Sequence, residues 1–328
     1  MFFFNLVYLL ACILLINKNF NGAMGLSLGI ASMNEFFTFR EVVFQYCWSI
    51  NSAGPEIQKK IQKDCKTIKQ LCFFVFIANL LVYATFLPLV GDEGDIIYVV
   101  MLARRYFGDW ANLSCSVYYF CFLCFAYGNI VVLFICAYII FHLRFQFYLI
   151  IEHMQTLSDD YDLENGINYD DSYQKSVRER MVLCVNQHVN IKRVTRMFSH
   201  ITRLPIAGVT IIASSVFVAT AFFIVSEISP HSNFRMCLSS ISCFTILMSV
   251  CSFGEMLAEE SNHLYRICLE SPWPFWNREN QHCLMMLMLG CSQPLKITFY
   301  NLLDLNYSFL LKIISITYKL QALFMKYK

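Results

Sequence analysis

The sequence predicts an all-α membrane protein of seven transmembrane helices, with the amino terminus in the cytosol and the last helix split near Gly290–Pro294. Three observations lead there. Hydrophobic residues make up 57% of the 328 and charged residues only 15%, with a mean hydropathy of +0.51; a soluble domain averages about 45–50% apolar and about 25% charged. The apolar residues fall in continuous runs long enough to cross hydrocarbon, which takes about 20 residues, rather than in the short alternating strands of a barrel. The net charge is only +2, too small a basic excess to hold a polyanion, so no nucleic-acid partner is expected.

The chain opens with an apolar run, Met1 to Ile16. No cation precedes it and the first lysine, Lys18, follows it, so a membrane segment fits better than a cleaved signal peptide. A second crossing, Met24 to Tyr46, is interrupted by Glu35, Arg40 and Glu41. Within it, Gly25 and Gly29 have the GxxxG spacing that lets helices approach closely. Clear spans follow at Leu71 to Val90, Val117 to Leu143, Pro205 to Val225 and Met236 to Met256. The last stretch, Leu284 to Leu323, exceeds one crossing and is broken by Gly290 and Pro294, so a short helix should precede the final span. Residues 1–328 therefore read as a single seven-helix domain whose first span is expected to be incomplete. A central cytosolic loop with helix extensions is expected at 144–203.

Orientation follows from the cations. With the amino terminus inside, the inner loops hold Lys59, Lys60, Lys63, Lys66, Lys69, Arg144, Lys175, Arg178, Arg180, Lys192, Arg193, Arg196, Arg203, Arg266 and Arg278. The outer side holds Lys18, Arg104, Arg105, Arg235, Lys326 and Lys328. This bias favours a cytosolic start and an external finish. The sequon Asn112-Leu113-Ser114 falls in a loop that the same topology places outside.

Little in the chain suggests catalysis. Most of the 15 cysteines lie inside spans and act there as small apolar residues. Cys115 and Cys237 both fall near the outer face, where a bridge and two thiols are alternatives. Cys121 and Cys124 form a CxxC inside a span without a second ligand pair, which argues against zinc or redox chemistry. Asp159, Asp160, Asp162, Glu164, Asp170 and Asp171 surround Gly166, but counted from Asp160 the glycine arrives one place late for a calcium loop. A solvated loop is the simpler reading. There is no GxSxG, HExxH or Walker A sequence, and neither an enzyme activity nor a cofactor is expected.

Polar groups set among aromatics inside the membrane are more informative, because a buried amide without a partner is costly. Phe76, Asn79, Leu80 and Tyr83 share one face of the third span; Tyr118, Phe122, Phe125 and Asn129 share one of the fourth, and Ser240 and Phe244 one of the sixth. Interhelical hydrogen bonding explains any one of them. Together they suit the wall of an aromatic cavity with a few polar anchors, as small-molecule sites are.

Near the carboxyl end, Cys251-Ser252-Phe253-Gly254-Glu255-Met256-Leu257, then Ser261, Leu264 and Trp273, then Ser292-Gln293-Pro294-Leu295 resembles the signature of insect odorant receptors. His188 and Ile191, ahead of the fifth span, fit that family's weaker central motif. Pro274 stands where the family usually has an aromatic residue, and Gly290 and Cys291 replace a basic residue and a serine; Met1 is expected to fall inside the first span, without the family's customary cytosolic segment before it.

The resemblance implies a ligand-gated, non-selective cation channel in the plasma membrane of a sensory neuron. Its tuning subunit forms a hetero-tetramer with the olfactory co-receptor. It implies a small volatile odorant bound in the outer half of the second, third, fourth and sixth helices, surrounded by membrane lipid. Ile314, Thr317, Gln321 and Met325 on the final helix would line the pore, with Gln321 and Met325 at the external gate. The region 251–294, with Cys251, Gly254, Trp273 as a packing anchor, and Pro294, would serve assembly. A gustatory-type receptor channel is the nearest alternative, since Thr317-Tyr318 also opens that family's terminal motif, but the Gln-Phe expected at its end is absent. A G-protein-coupled receptor is disfavoured by the absence of a DRY triplet and of NPxxY. A transporter would show an internal repeat, and none is visible.

Overall fold

The computed structural model describes residues 39, 41–43, 45–85, 105–106, 108–159, 171–226, 230–299 and 303–326. The first span, the GxxxG pair and the acidic loop around Gly166 lie outside these residues, as does all but the end of the second span. The described chain is built from long α-helices: α1 (Pro55–Thr85), α2 (Ala111–Asp159), α3 (Asp171–Ser226), α4 (Pro230–Glu270), α5 (Arg278–Cys291) and α6 (Tyr307–Lys326). Short 3-10 turns occupy Ile50–Ser52, Gly108–Trp110 and Trp273–Phe275.

Helix ends follow from local chemistry. Pro55 and Pro230 open α1 and α4, where the missing N–H costs nothing. Asn277 caps α5 by accepting from Asn280 N at 2.9 Å, and the Asn306 side chain accepts from Phe309 N at 3.0 Å at the start of α6. Helix α3 bends by 46° between Arg203 and Ile206, where Pro205 removes a backbone donor.

As far as the described residues reach, the third, fourth and sixth apolar runs are helical, in the later part of α1 and the earlier parts of α2 and α4. Among the described residues, Pro55–Thr85, Leu133–Leu157 and Asn233–Glu270 are long and apolar enough to cross a bilayer, and the bent α3 supplies a fourth such element. The split expected at Gly290–Pro294 is present and wider than the sequence indicates. Helix α5 ends at Cys291 and α6 begins at Tyr307, with a two-stranded hairpin between them, β1 (Thr298–Phe299) and β2 (Leu303–Asp304), antiparallel in the register Thr298↔Asp304 and Phe299↔Leu303.

Helix α2 is the central element, packed against α1, α3 and α4; α3 also packs on α5 and α6. Cys136, Leu143, Phe147, Ile150 and Met154 of α2 meet Val177, Met181, Ile191, Val194 and Phe198 of α3 and Leu257, Leu264 and Cys268 of α4 in the closest-packed region. Much of this core lies beyond the apolar runs. The stretches 55–70, 144–159 and 171–203 are thus continuations of the helices rather than loops.

Candidate functional site

Two regions carry the residues singled out by the sequence. The first is the apolar part of α4, which packs against α1 through Ser242 and against α3 through Ser240. Asn79 Nδ2 donates to the Val75 carbonyl at 2.8 Å, one turn back, and its Oδ1 accepts from Ser242 Oγ of α4 at 3.0 Å. Ser240 of α4 meets the hydroxyl of buried Thr220 on α3, which donates to Val216 O at 2.8 Å and reaches Met236 O at 3.1 Å. Polar groups here are satisfied within the protein, as a low-dielectric setting demands. Phe76 and Tyr83 are half-buried beside Asn79, whereas Leu80 and Phe244 are exposed. Tyr118, Phe122, Phe125 and Asn129 lie on α2, with side chains outside the described set. Ser242 is the residue missed here; its position two residues from Ser240 was the available signal. Cys115 and Cys237 are thiols, not bridged to one another, and Asn112 is exposed at the start of α2.

The second region is the helix bundle beyond the apolar runs. Arg144 of α2 stands between two carboxylates: Nη1 is 3.3 Å from Asp64 Oδ2 of α1, and Nη2 and Nε reach Glu260 Oε1 of α4 at 2.9 and 3.1 Å. Tyr148, one turn along α2, donates to Asp64 Oδ2 at 2.9 Å, and Lys60 Nζ lies 3.8 Å from the centre of the Tyr148 ring. The cluster ties three helices together at one level, just past the ends of the third, fourth and sixth apolar runs. Sequence reasoning missed it, because its members stand 84 and 116 residues apart.

The motif residues of the carboxyl end also meet here. A Cβ on Gly254 would stand 2.1 Å from the Leu305 carbonyl oxygen, so only glycine lets the linker after β2 lie against α4. Ser261 Oγ accepts from Leu295 N at 3.1 Å, Ser252 and Tyr307 hydroxyls meet at 2.9 Å, and Cys251 is buried beside α6. Pro294 is half-buried at the start of the linker. Trp273 is 47% exposed, while Trp276, 4% exposed, donates from Nε1 to Tyr173 OH at 3.3 Å. Around it Gln174 accepts from Asn277 N and from Asn280 Nδ2, both at 2.9 Å, fixing the start of α5 to the start of α3. At the other end of α5, Lys192 donates to Gly290 O, and buried His188 packs against Cys291 Sγ at 3.7 Å. Burial, with Lys192 nearby, lowers the His188 pKa from 6.5 to about 4.

On α6, Phe309, Leu310, Ile313 and Thr317 form the buried stripe. Thr317 donates to Ile313 O at 2.9 Å, and Gln321 Nε2 donates to Phe217 O of α3 at 3.2 Å. Ile314 is exposed, and the Met325 side chain is outside the described set.

The family model described as "7tm Odorant receptor" matches residues 2–318. The chain belongs to the seven-transmembrane odorant receptor family. The receptor's fold is also that of solved insect receptors. The insect olfactory receptor OR5 from Machilis hrabei superposes with a TM-score of 0.63 at 13% identity, over 91% of this chain and 76% of that one. The same OR5 in complex with eugenol gives 0.64 at 12% identity, over 90% and 75%. No curated protein matches the sequence. Family and fold together make the receptor an all-α membrane protein of a receptor class rather than of an enzyme class. Its motif residues, read in the structure, hold the linker and α5 in place: Gly254 and Ser261 take the linker, and His188 takes the end of α5.

Proposed function

We propose that this receptor is the tuning subunit of an odorant-gated, non-selective cation channel, assembled with the olfactory co-receptor in the plasma membrane. The observation that carries the reading is the family match over residues 2–318. A receptor of the same fold solved with eugenol supports a small volatile as ligand. The proposed topology has the amino terminus and the Arg144 level in the cytosol and the carboxyl terminus outside, supported by the cation bias.

The odorant occupies the seam of α1, α2 and α4 about Phe76, Asn79, Tyr83 and Ser240, with Leu80, Phe244, Tyr118, Phe122 and Asn129 completing its surround. Burial of apolar surface supplies most of the affinity, and Tyr83 or an amide gives direction. To open the channel, the ligand must bind the open state more tightly than the closed one. In this reading α6 moves relative to its neighbours at Gln321 and Met325, and residues 251–294, with Trp273 exposed, face partner subunits.

The test is cation current in cells expressing the receptor with and without the co-receptor. Odorant-evoked current that needs both subunits is expected; current that G-protein blockade abolishes overturns the channel reading. Tyr83→Ala should shift odorant sensitivity while surface assembly persists, and loss of assembly instead would make Tyr83 a packing residue.

A further inference from the structure

The outward face of α1 changes character along its length. Lys59, Lys63 and Lys66 recur at the i, i+4, i+7 spacing of one helix face, flanked by Lys69. The same stripe continues through Gln70 into Phe73, Phe74, Ile77 and Leu81. All of these are exposed, Phe73 and Phe74 about two-thirds so. The opposite face, with Ile57, Ile61, Ile68, Val75 and Asn79, packs on the bundle. Among the described residues, none of the Lys59, Lys63, Lys66 and Lys69 side chains makes an ion pair or hydrogen bond; the Lys63 backbone carbonyl accepts from Thr67 Oγ1 at 3.1 Å. The acids of α1 are accounted for elsewhere: Asp64 points inward to Arg144 and Tyr148, and Glu56 sits beyond Lys59, at the end farthest from the apolar part.

We propose that Lys59, Lys63, Lys66 and Lys69 form a binding surface for anionic phospholipid headgroups of the leaflet that adjoins the start of α1. The surface rests on reading α1 as a membrane span. Phe73, Phe74, Ile77 and Leu81 then face the acyl chains, which puts Lys69 about 6 Å and Lys66 about 10 Å from the level of Phe73 at 1.5 Å per residue. Lys63 and Lys59 stand one and two turns further out, where long side chains reach back toward phosphates. Four unpaired cations on one helix face, continuous with its lipid-facing surface, complement a negatively charged leaflet, and juxtamembrane lysine clusters gain from that field. An acidic protein would need no such continuity with Phe73 and Phe74.

The full chain, reconstituted with its partner subunit in nanodiscs of phosphatidylcholine and phosphatidylserine, is probed with spin-labelled forms of each lipid. The readout is the selectivity of the immobilised fraction. Phosphatidylserine should be preferred by about tenfold at low salt and less at high salt. Lys59→Gln/Lys63→Gln/Lys66→Gln/Lys69→Gln should bring the two lipids to parity, and the matching Lys→Arg variant should keep the preference. Equal selectivity in wild type, or preference retained in the Gln variant, overturns the proposal. Both leaflets of the disc carry the anionic lipid and no current is recorded, so this result is independent of sidedness and of channel function.

Discussion

Replacing Arg144 by Met removes the one cation that Asp64 and Glu260 share. The three side chains are 15%, 22% and 11% exposed, which places the cluster nearer the buried than the surface limit. An exposed ion pair contributes about 0.2–1 kcal/mol, whereas deleting one member of a buried pair costs about 3–5 kcal/mol because the other charge is left uncompensated. Two carboxylates would lose their guanidinium here, although Tyr148 still donates to Asp64, Lys60 stands over the Tyr148 ring, and His263 Nδ1 lies 3.8 Å from Glu260 Oε2. We therefore expect a loss of about 3 kcal/mol. With an unfolding entropy of about 2.1 cal/mol/K per residue, that lowers the melting temperature of the 328-residue chain by roughly 4 °C. Glu260→Gln, which keeps an acceptor for the guanidinium, should cost about 1 kcal/mol. In Arg144→Met/Glu260→Gln the two losses should fall short of additive. The assay is thermal unfolding of the solubilised protein followed by size-exclusion fluorescence, with exposed Arg266→Met as control. An Arg144→Met shift no larger than the control's, or strictly additive losses in the double variant, would refute the assignment.

Gly254→Ala drives a methyl group into the Leu305 carbonyl and should cost about 1–3 kcal/mol, read as reduced surface expression; wild-type levels would show that the linker is free of α4. Ser242→Ala and Asn79→Ala should each destabilise modestly, with a coupling of about 0.6–1.7 kcal/mol between them in a double-mutant cycle; zero coupling contradicts the bond. His188 has a folded pKa of about 4, against 6.5 for the free side chain. The unfolded chain therefore takes up a proton as pH falls through 6.5 while the folded one does not. Its stabilising contribution is complete above pH 6.5 and declines by roughly 2 kcal/mol on going to about pH 5. His188→Gln should remove the largest part of that slope in unfolding scans, and an unchanged slope would assign it to other groups.

The sequence made the apolar spans legible because Leu71–Val90 or Val117–Leu143 is a charge-free run whose only partner is lipid or protein. It was less informative where helices leave the hydrocarbon. Lys59–Lys69 reads as a loop until Ile57, Ile61, Asp64 and Ile68 are noticed on one face, three or four residues apart. The Arg144 cluster could not be read, since pairing between distant helices leaves no local mark. Trp273 and Trp276 are three residues apart with equal claims as an anchor, and only the fold buries the second. Thr317 and Gln321 share a helix face, but periodicity alone does not say whether that face meets α3 or a neighbouring subunit.

Helix α2 runs through 49 residues without a proline, a stiff shaft of about 73 Å. Such a shaft has no joint at which to dissipate a tilt. Swung by about 2° about its first turn, it carries Arg144, about 50 Å down its length, sideways by roughly 2 Å. That displacement is comparable to the 2.9 Å separating the guanidinium from Glu260. Leverage alone thus makes the shared cation the place where a small change at the far tip becomes a broken or remade contact.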